Sequence, residues 1–184
     1  LTELIRDNMS ELLSYAETQN LLDELPNEHQ KLVGEVVPNQ ISVGGIQRVL
    51  QNLLNERVSI RDLPTILEGI SEACAFTRNV TQITEHVRSR LARQISEQNS
   101  TEDNFIPLVT LSAEWEQIFS DSILDQGEDK QLSMAPSQLQ RFIGAVRNTL
   151  DELADKEDPP VVLTSPSARP FVRSIIERFR PATS

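Results

Sequence analysis

The apolar period of this chain changes once, at the polar stretch Asn99-Ser100-Thr101-Glu102-Asp103-Asn104. Before it, apolar residues recur only at helical spacing. After it, short β-type runs alternate with helical ones. A chain that switches pattern in this way fits neither a pure helical bundle nor a pure β fold. The switch predicts a mainly α protein in two parts: a compact helical bundle over residues 1–100, then a small two-layer α/β subdomain over 101–184.

In the first part, Leu4, Ile5, Met9, Leu12 and Leu13 form one stripe, with Thr2 as N-cap. A short helix is expected from Glu17 to Leu25, where Pro26 stops it. Asn27 is expected to cap the next, which carries Leu32, Val33, Val36 and Val37 and ends before Pro38. Ser42 caps a longer helix bearing Ile46, Val49, Leu50, Leu53 and Leu54. Asp62 caps another, with Pro64 in its first turn and Leu63, Ile66, Leu67, Ile70 and Cys74 facing inward. A last helix is expected from Asn79, with Ile83, Val87, Leu91 and Ile95 on one side.

In the second part, Ile106 to Leu111 reads as a strand, and Ser112 caps a helix with Trp115, Ile118 and Phe119. Residues 125–130 read as a loop and Leu132 to Met134 as a short strand. Pro136 starts a helix with Leu139, Phe142, Ile143, Val146 and Leu150. Asp155 to Pro160 reads as a charged turn and Val161 to Leu163 as a buried strand. Ser165 and Pro166 then cap and start a helix holding Phe171, Ile175, Ile176 and Phe179.

Composition limits the chemistry. Of 184 residues only 4% are aromatic, so the cores must be mostly Leu, Ile and Val. Lys+Arg is 17 against Asp+Glu 28, a net charge of -11. That argues against general nucleic-acid or anionic-membrane binding, which need a cationic face. Cys74 is the one cysteine, so no intrachain disulfide is possible, and with His29 and His86 it makes a poor ligand set for zinc. No run of apolar residues is long enough to span a bilayer. The chain opens on Leu1 without an initiator Met, which points to a fragment of a longer protein. No P-loop, dinucleotide fingerprint, metal spacing or paired apolar carboxylates are visible, so no cofactor and no catalytic residue is expected.

Some residues carry two readings. Thr164-Ser165-Pro166-Ser167 forms a strand-to-helix turn, but a nucleophile elbow needs small flanking residues. Ser165 as an N-cap explains the same sequence. The helix N-terminus beside Arg169 also suits an anion. Arg57 and Arg61 flank Val58-Ser59-Ile60, with Glu56 and Asp62 adjacent, and arginine–carboxylate bonds there would tie two helices. Arg88, Arg90 and Arg93 read either as a solvated helix end or as a basic spot for an acidic partner. Arg169, Arg173, Arg178 and Arg180 against Glu177 make the C-terminal helix locally cationic, and its Arg169, Arg173 and Arg180 are expected to face outward.

A longer pattern is more specific. Val37-Pro38 is followed by Gln47-Arg48-Val49-Leu50-Gln51-Asn52-Leu53-Leu54-Asn55-Glu56-Arg57-Val58-Ser59-Ile60-Arg61-Asp62-Leu63. Then come Ile66-Leu67-Glu68, Thr84-Glu85-His86-Val87-Arg88 and Leu91-Ala92-Arg93-Gln94-Ile95. Leu108-Val109-Thr110-Leu111 and Pro160-Val161-Val162-Leu163-Thr164-Ser165-Pro166-Ser167-Ala168-Arg169 continue it. Together these resemble the FlhA/LcrD (FHIPEP) family of type III export-gate proteins, in its flagellar form, over nearly the whole chain.

The resemblance implies a protein with an N-terminal membrane region and a cytoplasmic region of four subdomains, of which this chain matches the last two. It implies a location at the cytoplasmic face of the bacterial inner membrane, with no membrane contact by this part. It implies a nonameric ring that docks export substrates, chaperone–substrate complexes, the export ATPase complex and other gate proteins, with no nucleic-acid partner. The family pattern runs on past Ser184 into a further strand, so the small sheet is expected to lack its last member. Glu56, Arg57, Ser59, Arg61 and Asp62 are the family-motif residues; Arg88, Arg93, Arg169 and Arg173 are candidate partner contacts. A small α/β hydrolase or phosphate-binding enzyme is the alternative function, resting on Ser165 and the nearby helix N-terminus.

Overall fold

A computed structural model describes residues 9–127, 129–153, 160–180 and 183. The chain divides into two compact units, Leu1–Ile95 and Ser96–Ser184. The fold is mainly α with a small α/β part.

The first unit is a bundle of short helices: α1 (Met9–Leu12), α2 (Tyr15–Asp23), α3 (Asn27–Val36), α4 (Val43–Asn55), α5 (Leu63–Cys74), α6 (Val80–Arg90) and the start of α7 (Ala92–Asn99). The expected N-terminal helix is described only from Met9; its Thr2 cap, Leu4 and Ile5 lie outside the described residues. α2 starts earlier than Glu17 because Ser14 and Glu17 form a capping box, each bonding the other's backbone. α3 begins at Asn27 itself. Pro26 occupies the N-cap in an extended conformation, so Asn27 is a helical residue and caps nothing.

α4 is the centre of this unit. Ser42 caps it by accepting from the Gly45 amide at 3.1 Å. Ile46, Val49, Leu50 and Leu53 are fully buried along one stripe. Its flanking glutamines finish α1: Gln47 Nε2 donates to the Leu13 carbonyl at 2.9 Å, and Gln51 Nε2 to the carbonyls of Ser10 and Leu13, each at 3.1 Å. Gln30 closes α2 in the same way through the carbonyls of Leu22 and Leu25. A helix end leaves carbonyls without partners, and a side-chain amide from a neighbouring helix supplies them.

The expected single helix from Asn79 to the end of the unit is two. α6 stops at Leu91 (φ -89°, ψ 10°) and α7 resumes at Ala92. The break keeps Leu91 buried beside Ile83 and Val87, and Ile95 stays packed on the same core.

The second unit holds β1 (Leu108–Thr110), α8 (Ala113–Ser122), β2 (Ile123–Gln126), β3 (Asp129–Leu132), α9 (Pro136–Glu152), β4 (Val161–Leu163) and α10 (Arg169–Ile176). β1 and β4 pair in parallel, with Val109 opposite Val162. Residues 125–130, expected as a loop, belong instead to an antiparallel hairpin of β2 and β3, with Ile123 opposite Leu132. Gly127 makes the reversal at φ +74°, where glycine carries no steric cost. The expected turn at Asp155 lies outside the described residues. The core gathers Phe119, Phe142, Val172 and Ile176, with Trp115 and Phe119 each meeting the Phe142 ring edge-on. α10 starts at Arg169, later than expected: Ser165 to Ala168 form a turn whose Ser165 carbonyl accepts from both Ala168 and Arg169 amides.

Two glycines separate the demands of packing from those of propensity. Gly69 lies where α5 meets α6, and a Cβ there would sit 3.3 Å from the Val87 Cα. Gly34 is an exposed α3 position with nothing within 4 Å of such a Cβ. Gly69→Val should therefore cost about 1–3 kcal/mol through overpacking. Gly34→Ala should add about 0.5–1 kcal/mol. Chemical denaturation of both variants checks the two signs.

Candidate functional site

Two places combine charged side chains with fixed backbone. The first is the corner between α4 and α5. α4 ends in a Schellman turn: the Val58 amide donates to the Leu53 carbonyl and the Arg57 amide to the Leu54 carbonyl, both at 2.9 Å. The residue that takes the left-handed conformation is Arg57, at φ 59°. For a non-glycine residue this costs about 1–2 kcal/mol. Val58 is buried under the turn, and Gln94 Nε2 donates to the Ser59 carbonyl at 2.9 Å. Asp62 caps α5, accepting from the Thr65 amide at 3.3 Å and from its hydroxyl at 2.8 Å.

One inter-helix tie at this corner joins Glu56 to Arg88 of α6, at 2.5 Å, with side chains only 16% and 17% exposed. Asp62 is engaged with Thr65. Arg57 and Arg61 both lie on the surface, and Ser59 is half-buried. Arg88 is thus turned inward against Glu56, while Arg93 is exposed on α7. The residue types at this corner were legible in sequence; the 32-residue separation between Glu56 and Arg88 hid their pairing.

The second place is the turn after β4. Glu116 of α8 accepts from the Thr164 hydroxyl at 2.8 Å and the Ser165 amide at 3.0 Å. Partial burial pushes the Glu116 carboxyl up, but the hydrogen bonds from Ser165 and Thr164 outweigh it and hold the group below its usual range. Ser165, expected as an N-cap, is held by this carboxylate, and its hydroxyl lies 3.4 Å from that of Ser167. No sequence spacing marked Glu116, because its partners lie 48 and 49 residues away.

A small cleft beside this turn is lined by Val162, Thr164, Arg169, Arg173 and Thr183. The arginines of α10 do not form an outward-facing row. Arg173 is only 18% exposed; it donates to the Thr183 carbonyl and lies 3.6 Å from Glu177. Arg180 pairs with Asp151, and Arg169 is half-buried at the cleft. The amphipathic α10 carries arginines on the flank of its apolar face, so their long stems fold over the core.

The histidines are committed within the helical unit. His86 Nε2 lies 2.9 Å from Glu72 and His29 Nε2 3.5 Å from Glu28. Bonding to His86 leads the causes that hold Glu72 below its usual range. Among the described residues, no group of His, Cys, Asp and Glu is placed to hold a metal, and no helix is long and apolar enough to cross a membrane.

Comparison with known proteins follows the fold. The FHIPEP family matches residues 1–184. The flagellar biosynthesis protein FlhA of Caulobacter vibrioides is 54% identical over 183 residues, covering 100% of this chain and 26% of that protein. The nonameric SctV-C of EPEC, solved by cryo-EM, superposes with a TM-score of 0.85 at 27% identity, covering 99% of this chain and 54% of that one. The complex of Chlamydia pneumoniae CdsV and CdsO gives a TM-score of 0.88 at 27% identity, covering 100% and 54%. The chain therefore spans about a quarter of the FlhA relative's length and about half of each solved chain.

Two tests address these sites. Arg88→Ala removes the largely buried ion pair to Glu56 and should cost about 1–3 kcal/mol in urea unfolding. Glu116 has a folded pKa below its ordinary 4.5, so its contribution is complete above that value and lost as pH falls through the folded pKa. Glu116→Gln should therefore flatten the acid limb of the Tm-against-pH curve below about pH 4.5 and leave the neutral limb parallel to wild type.

Proposed function

The chain belongs to the FHIPEP family, and on that premise we propose that it is the C-terminal cytoplasmic part of a flagellar type III export gate. Its role is non-enzymatic: a docking platform for export substrates, chaperone–substrate complexes and the export ATPase complex. The observation that carries this reading is the family match along the entire chain, joined to 54% identity with a flagellar relative.

The reading has physical support. Mutual docking needs rigid surfaces more than a reactive group, and the corner at Arg57 and the turn at Ser165 are both held by several bonds. The Ser165 amide is taken up by Glu116, which argues against a nucleophile or phosphate cradle at that turn. Residues 1–100 and 101–184 are proposed as separate subdomains of the platform. Glu56, Arg57, Ser59, Arg61 and Asp62 are proposed as the structural motif of the first. Arg93 and Arg169 remain proposed partner contacts, whereas Arg88 and Arg173 act mainly through internal bonds.

Self-association into a ring at the cytoplasmic face of the inner membrane is part of the proposal. It draws on a nonameric relative and on a relative solved in complex with another protein. Weak pairwise contacts suffice there, because a ring and an anchor raise the effective concentration. Sedimentation of this chain at micromolar concentration should show mainly monomer, and the complete cytoplasmic region should retain export chaperones in a pull-down. A stable dimer of this chain, or a complete region that retains no export component, would count against the reading.

A further inference from the structure

We draw no further inference here: the strongest candidate, the outer face of the parallel β1–β4 pair, where Leu108 and Leu163 are 50% and 51% exposed, carries none because nothing in the structure shows what covers it.

Discussion

The helical unit depends on one buried stripe. Ile46, Val49, Leu50 and Leu53 of α4 are fully removed from solvent, and helices on several sides pack against them. Short helices such as α1 and α3 are marginal in isolation, because nucleation costs more than a few turns return. α1 persists here because α4 offers both an apolar surface and, through Gln47 and Gln51, the amide donors that finish it, while α3 packs on α5. The end of α4 is therefore a place where geometry is inherited from the core. Val58 tucks under it, Glu56 reaches Arg88 across to α6, and Asp62 launches α5.

The two units solve the packing problem differently. In the first, the aromatic residues Tyr15 and Phe76 are exposed and the interior is aliphatic. Helices approach closely enough at Gly69 that a methyl group meets backbone. In the second, Trp115, Phe119 and Phe142 stack edge to face, and Arg141 lies 4.8 Å from the Trp115 ring centre. The few aromatics of the chain fill the space that short strands and sparse helices leave open. The 3-residue parallel pair, too short to stand alone, is held to the same core through Val162, and the turn after it is bonded to α8 by Thr164 and Glu116.

What could be read in advance divides along the same physical line. Caps at Ser42, Asp62, Asn79 and Ser112 were legible because an N-cap is a local interaction spanning three residues. The α4 and α5 stripes were legible for the same reason: period is local. The β2–β3 hairpin was missed because Asp125 to Lys130 is polar in sequence, so no apolar alternation marks it. Its signal was Gly127, the one residue suited to a left-handed turn there. Ser165 was read as a cap since nothing in sequence reveals that a carboxylate in α8 reaches its amide. The motif residues of the corner were visible as types. Their partners were not, because Glu56 meets Arg88 only once α6 lies beside α4.

Net charge is a weaker guide than charge placement. A total of -11 excludes broad binding to polyanions, since such binding sums over many contacts. It does not govern a single contact. Charges separated by more than about 10 Å are screened at ordinary ionic strength, so a bound segment feels its immediate neighbours. At the α4–α5 corner Glu56 pairs with Arg88 of α6 and Asp62 caps α5 through Thr65. In the C-terminal segment the local excess of arginine is answered by the Thr183 carbonyl, Glu177 and Asp151. Composition alone marks the C-terminal segment as cationic; folding decides which carboxylates and carbonyls answer its arginines.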